Sequence, residues 1–279
     1  MGIPSSTEKK YQKLKNIIGE MSSVLVAFSG GVDSTFLAKT AFDVLGSRFL
    51  AVIATSETYP QKEIDQAVQL ARDLGLPFQL IETNELEHSE FIKNPADRCY
   101  HCKKELFSNL THIAGEKGLA YVLDGANVDD LSDYRPGAKA GRELGVRSPL
   151  QEVGLNKEEI RLLSHKIGLP TWNKPSLACL ASRFPYEHPI DREGLLRVGK
   201  AEDFLLSLGF RQVRVRHHGE TARIEVGEKE LNRFLNNEIR INVCSQLKVL
   251  GFVYITLDLQ GYRSGSMNEA LKKPTPKKE

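Results

Sequence analysis

The sequence predicts an α/β fold: a parallel sheet with helices on both faces, followed by a smaller C-terminal α+β domain. Short apolar runs alternate with helix-length stretches through the first half of the chain, as expected when crossover helices join parallel strands. From about residue 186 this rhythm gives way to one long helix and closely spaced strands. A third observation orients the first domain. Ser29–Ser34, Ser56-Glu57 and Asp124-Gly125-Ala126-Asn127 all fall at the carboxyl ends of expected strands, where open α/β sheets bind ligands. The expected domains are residues 1–185 and 186–268, with 269–279 a charged, Pro-containing, disordered tail.

The elements follow in order. Residues 9–21 form an amphipathic helix. Val24–Phe28 is an apolar strand that runs into Ser29-Gly30-Gly31-Val32-Asp33-Ser34, and a helix continues from Thr35 to about Leu45. Strands are expected at 49–55, 78–82 and 121–123, and helices at 61–74 and 102–117. At 156–168 Asn156 followed three residues later by Glu159 is a capping-box signal, and Gly168-Leu169-Pro170 ends the helix. The second domain reads as a helix at 193–208 and strands at 212–216 and 222–226 around the turn His217-His218-Gly219-Glu220. Helices at 229–235 and 240–250 and a strand at 253–257 complete it.

With 279 residues, 41% of them hydrophobic and 27% charged, the chain is long enough for two globular domains. A net charge of +2 gives no basic excess, so a nucleic-acid partner is not expected. No run of 18 apolar residues is present and residues 1–10 hold no apolar secretory core, which points to a cytoplasmic protein without a membrane partner. Four cysteines in such a chain suggest metal binding or catalysis rather than a disulfide framework.

The turn after the first strand carries the clearest chemistry. Gly30 and Gly31 let the backbone reach φ > 0 and let an anion approach without a Cβ. The following helix offers unpaired N–H groups and the positive end of its dipole, and Ser29 and Ser34 add hydroxyls. The Gly-Lys-Ser/Thr ending of a P-loop and the G-x-G-x-x-G dinucleotide fingerprint are both absent. The motif resembles the pyrophosphate loop of the PP-loop ATPases. That resemblance implies ATP cleavage between the α- and β-phosphates, transfer of AMP to an acceptor oxygen and departure of pyrophosphate into the loop. Ser56, Asp124 and Gly125 join Ser29, Gly30, Gly31, Asp33 and Ser34 as expected nucleotide-binding positions.

Cys99 and Cys102 stand in a C-x-x-C whose spacing puts both sulfurs on one side of a helical turn. Arg98, Lys103 and Lys104 beside them favour thiolates. Cys179 lies far away in sequence. Structural zinc, a redox pair, cluster ligation and unrelated thiols all fit this pattern. Cys244 reads as a small buried hydrophobe.

Further motifs occur in order: Asp124-Gly125, Asp133-Tyr134-Arg135-Pro136-Gly137, Trp172-Asn173-Lys174, Ser182-Arg183-Phe184-Pro185-Tyr186, Val213-Arg214-Val215-Arg216, Ala222-Arg223-Ile224-Glu225 and Thr256-Leu257-Asp258-Leu259. Together they resemble the LarE family, ATP-dependent sulfur transferases of nickel-pincer nucleotide biosynthesis, over nearly all of residues 11–268.

The resemblance implies that ATP, with Mg²⁺ neutralising its phosphates, adenylates a carboxylate of pyridinium-3,5-biscarboxylic acid mononucleotide. Sulfur then displaces AMP to give a thiocarboxylate. It implies that Arg214 and Arg216 grip the mononucleotide phosphate and that Cys179, Ser182 and Arg183 line the reaction centre. Glu202 would touch a metal or the substrate. Asp33 and Asp124 would serve Mg²⁺ or act as caps. Some family members sacrifice a cysteine that aligns with Ala178 here. The trio Cys99, Cys102 and Cys179 instead resembles the branch in which three cysteines hold a [4Fe-4S] cluster fed by sulfide or another sulfur donor, with sacrifice of the Cys179 sulfur itself as the alternative. A homohexamer is implied as well. Three other readings stand beside this one: a tRNA thiolation enzyme, an amide-forming GMP or NAD synthetase, and a nucleotide sensor with structural zinc.

Overall fold

The computed structural model describes residues 3–132, 136–175, 178–263 and 265–272. In chain order its elements are α1 (Ser5–Glu20), β1 (Val24–Ala27), α2 (Val32–Leu45), β2 (Phe49–Thr55), α3 (Gln61–Asp73), β3 (Phe78–Glu82), α4 (Ser89–Ile92), α5 (Arg98–Glu116) and β4 (Tyr121–Leu123). Next come α6 (Gly137–Glu143), α7 (Pro149–Glu152), α8 (Lys157–Lys166), α9 (Arg192–Ser207), β5 (Val213–His218), β6 (Thr221–Val226), α10 (Asn237–Val249) and β7 (Tyr254–Leu257). The chain forms two compact units, Met1–Glu85 with Asp97–Leu177 and Leu86–Ala96 with Ala178–Glu279. The change of sequence character at 186 thus falls inside the second unit. No described helix is long and apolar enough to cross a membrane.

The first unit is a four-stranded sheet in the order β3-β2-β1-β4, parallel throughout. Its strands show the two-residue alternation of a sheet buried on both faces. Val24, Val26, Ala51 and Ile53 pack on one side with Leu14, Phe36 and Leu37, whereas Leu25 and Val52 pack on the other with Phe107 and Leu110. Strand order runs β3, β2, β1 in one direction from β1 and β4 in the other, so a topological switch lies between β1 and β4. Parallel sheets of this kind bind ligands outside that crevice. The helix start foreseen at Asn156 is present as a full capping box. The Glu159 N–H donates to Asn156 Oδ1 (2.8 Å), and the Asn156 N–H donates to the Glu159 carboxylate (3.1 Å).

The second unit holds a mixed sheet, β5-β6-β7, in which β5 and β6 are antiparallel and β6 and β7 parallel. Several details depart from the sequence reading: α1 and α5 each start four residues early, at Ser5 and Arg98, and the short helices α4, α6 and α7 were not foreseen. α2 starts at Val32, so Asp33 and Ser34 belong to its first turn. His217 and His218 extend β5 and leave only Gly219-Glu220 to turn the hairpin. The helix read at 229–235 is a 3₁₀ segment, Glu228–Leu235.

Candidate functional site

Phe28 continues the β1 ladder by donating its N–H to the Val52 carbonyl (2.9 Å). The chain then turns through Gly30 at φ +66°, a conformation glycine adopts without steric cost. Space demands glycine as well, since a Cβ here would stand 2.9 Å from the Ala67 Cβ on α3. Gly31 is the extended N-cap of α2, and no side chain caps that helix. Its first-turn N–H groups therefore face the turn as an anion cradle. Ser29 and Ser34 close the turn across its base, with hydroxyls 3.0 Å apart and the Ser29 N–H donating to Ser34 Oγ (3.2 Å). From the far side of the switch, Gly125 backs onto the same helical turn. A Cβ on Gly125 would lie 3.0 Å from the Ser34 nitrogen.

Charged groups ring this turn. Asp33 pairs with Lys157 of α8. Burial pushes its carboxyl above the ordinary carboxylate value, outweighing the pull of Lys157 toward ionisation. Its Oδ1 is buried and makes no hydrogen bond of good geometry. Lys174 donates to the Gly30 carbonyl (3.3 Å) and faces Glu63 of α3 at 3.0 Å. Arg161 of α8 fixes the backbone beneath it through the Trp172 and Lys174 carbonyls, both at 2.8 Å. Asp124 accepts from Ser148 Oγ (2.6 Å) and the Ala126 N–H (3.2 Å), which shapes the turn after β4. Ser56 does the same after β2, accepting from the Thr58 N–H (3.0 Å).

In the second unit, Arg183 is 1% exposed. Its Nε and Nη2 grip both oxygens of Glu202 (2.8 and 2.7 Å), and its Nη1 donates to the Ala178 and Cys179 carbonyls and to Ser182 Oγ. Burial alone would weaken the guanidinium's hold on its proton, but Glu202 more than offsets this and raises it. Glu202 Oε1 also accepts from the Val215 N–H (2.8 Å), tying α9 to β5.

Arg214 and Arg216 sit two residues apart on β5, and both are buried. Arg214 lies over the Tyr262 ring, 5.2 Å from its centroid, and its pKa is lowered by burial and by nearby Arg183. Arg216 is held bidentately by Glu225 (2.9 and 2.6 Å) and donates to the Ser182 carbonyl (3.0 Å). Ser182, Arg183, Glu202 and Arg216 are therefore brought together.

Cys99 lies in the first turn of α5 and Cys102 opens the second. Cys99 is exposed, and the partly buried Cys102 thiol donates to Glu85 at 3.6 Å. Cys179 is the N-cap of the short turn Leu180–Arg183 in the second unit. Cys244 on α10 is half-buried rather than buried as expected, because it lies outside the buried stripe of Val243 and Leu247. Among the described residues, no group of three or more His, Cys, Asp or Glu side chains is placed to hold a metal ion. In the Asp133–Gly137 motif, residues 133–135 lie outside the described residues. Gly137 opens α6 against α5, where a Cβ would lie 3.1 Å from the Cys99 carbonyl.

The NAD synthase family matches residues 8–102, the stretch that carries β1, the glycine turn and α2. A pyridinium-3,5-bisthiocarboxylic acid mononucleotide synthase of Lactiplantibacillus plantarum is 44% identical over 255 residues, covering 91% of this chain and 92% of its own. The chain belongs to the LarE family. It is accordingly an ATP-dependent enzyme with the adenine nucleotide alpha hydrolase-like fold. An uncharacterized protein of Synechocystis is 44% identical over 266 residues, covering 95% of this chain and 99% of its own. A GMP synthase of Aeropyrum pernix is 31% identical over 209 residues, covering 68% of this chain and 40% of its own.

Three residues escaped the sequence reading of this LarE chain. Lys157 and Lys174 reach the turn from 124 and 144 residues away, a separation that no local spacing reveals. Asn94 donates to the Phe184 and Pro185 carbonyls (3.3 and 2.7 Å) and so shapes the Ser182–Tyr186 motif. Trp172-Asn173-Lys174 had signalled the family without showing where its lysine points.

Proposed function

We propose that this chain is an ATP-dependent sulfur transferase that converts the carboxylates of pyridinium-3,5-biscarboxylic acid mononucleotide into thiocarboxylates. The observation that carries the ATP half is the uncapped start of α2, walled by Gly30, where a Cβ does not fit, and by Gly125, where one would crowd the helix backbone at 3.0 Å. The acceptor comes from the printed name of the Lactiplantibacillus plantarum relative. A carboxylate is a poor electrophile. Its oxygen attacks the α-phosphorus of ATP and pyrophosphate leaves. Sulfur then attacks the acyl carbon and AMP leaves. Two such rounds give the bisthiocarboxylate.

On the ATP side, the α2 N–H groups, Ser29 and Ser34 receive the leaving pyrophosphate. Asp33 Oδ1 is the oxygen we assign to Mg²⁺, which when bound neutralises phosphate charge. On the acceptor side, Arg214 and Arg216 take the mononucleotide phosphate, with Glu225 keeping the Arg216 fork oriented. Ser182, braced by the Arg183–Glu202 pair, lines the reaction centre. For the sulfur we propose a [4Fe-4S] cluster on Cys99, Cys102 and Cys179. Its support is the set of three thiols and the resemblance to the three-cysteine branch. A homohexamer belongs to the same proposal and rests on the same resemblance, whereas a cytoplasmic location rests on the sequence pattern alone.

The deciding experiment measures pyrophosphate release by the full chain with ATP and each acceptor in turn. Release that requires the pyridinium biscarboxylate mononucleotide supports the proposal. Release driven by tRNA, or by ammonia as amide donor, overturns it. Anaerobic reconstitution with iron and sulfide tests the cluster separately. Stoichiometric zinc, or sulfur transfer that survives Cys99→Ala and Cys102→Ala, excludes it.

A further inference from the structure

We propose that Lys174 grips the departing pyrophosphate of ATP and that Glu63 holds its ammonium in reserve until the nucleotide arrives. This rests on the ATP half of the proposed function. The Lys174 ammonium lies 3.3 Å from the carbonyl of Gly30, one residue before the N-cap of α2. It therefore stands at the lip of the anion cradle with a neutral carbonyl as one partner. Its other partner, Glu63 Oε2, is 3.0 Å away. That oxygen is buried yet receives no aligned hydrogen bond, so the pair is held by charge alone. The second lysine at the turn, Lys157, is committed to Asp33. With Asp33 balanced by Lys157 and Glu63 by Lys174, these four side chains offer a polyanion no net charge. A ligand bearing three or more negative charges competes for Lys174 on favourable terms, because the pair it must break is poorly aligned.

The root of Lys174 is clamped by a side chain, whereas its tip is held, among the described residues, only by the Gly30 carbonyl and by the charge of Glu63. Arg161 clamps the carbonyls of Trp172 and Lys174 itself. The four-carbon stem can then swing the ammonium from carboxylate to phosphate without backbone movement. Glu63 lies in the first turn of α3, where the helix dipole stabilises a carboxylate left without its lysine.

The test is calorimetric titration of the full chain with inorganic pyrophosphate and with ATP. Lys174→Met keeps the apolar stem and is expected to weaken both about ten- to hundredfold, the range of one charge-assisted hydrogen bond. Glu63→Gln removes the competitor and is expected to tighten both several-fold. The double variant should match Lys174→Met. Two results overturn the proposal: binding by Lys174→Met within about twofold of the wild type, or weakening by Glu63→Gln parallel to Lys174→Met, which marks a structural staple. A wild-type chain that binds neither pyrophosphate nor ATP would instead sink the ATP half of the proposed function.

Discussion

Removing the charge of Glu202 while keeping its size isolates the role of Arg183. That guanidinium is 1% exposed and receives both oxygens of Glu202 at 2.8 and 2.7 Å. In Glu202→Gln the amide nitrogen faces another donor, so one of the two bonds is lost and a buried cation is left without its counter-ion. Breaking a buried pair in this way costs about 3–5 kcal/mol, of which even the lower figure lowers a melting transition by about 6–12 °C. The loss should be local. Scanning calorimetry gives the size, and amide hydrogen exchange places it, with faster exchange expected in α9, β5 and residues 178–183. The apolar pair Arg183→Met with Glu202→Leu should recover much of the stability, because a buried ion pair is worth little against well-packed apolar groups. An unchanged transition and unchanged exchange in Glu202→Gln, with activity lost, would show that Glu202 serves the chemistry and not the brace.

Gly30→Ala is expected to cost about 1–2 kcal/mol for φ +66° alone. The 2.9 Å approach to Ala67 adds to that, and the KM for ATP should rise; an unchanged denaturation midpoint would contradict this account of the turn. Asn156→Ala removes the acceptor of the α8 capping box and should destabilise the first unit by about 0.5–2 kcal/mol in urea melts. Burial, followed by Arg197 for His217 and Arg223 for His218, lowers both imidazole pKa values from 6.5. Below 6.5 the unfolded chain then binds more protons than the folded one. The stability contribution is therefore complete above 6.5 and lost as pH falls through the folded values. His217→Phe keeps a ring against Phe184 and should flatten this loss in denaturant midpoints measured across that window. An identical pH slope would refute the assignment.

The parallel sheet, the glycine turn and the α8 cap were legible because each is written in contiguous residues: an apolar strand, Ser-Gly-Gly, and Asn156 with Glu159. The start of α2 was misplaced by three residues because β-branched Val32 and the polar Asp33-Ser34 look like loop in isolation. Only the open N-cap at Gly31 makes them helical. Arg214 and Arg216 were correctly set on one strand. Alternation says which face a side chain shares, though, and not that Glu225 on the neighbouring strand would already hold Arg216. Lys174 stayed hidden for the same reason, since its target is fixed by tertiary packing through Arg161.

Residues 86–96 belong to the second unit although the rest of it begins at 178. Within that unit Asn94 and Ile92 accept from the N–H groups of Glu187 and Ile190 (both 2.9 Å), and the Asn94 side chain holds the Phe184 and Pro185 carbonyls. During synthesis this eleven-residue peptide leaves the ribosome some 80 residues ahead of the partners it must meet, at ~5–20 residues per second. It waits several seconds as an unsatisfied strip. A fragment cut at residue 178 would lack it altogether, so the second unit cannot be excised as a simple C-terminal piece. Any attempt to graft it elsewhere has to carry the early peptide along, in cis or as an added segment.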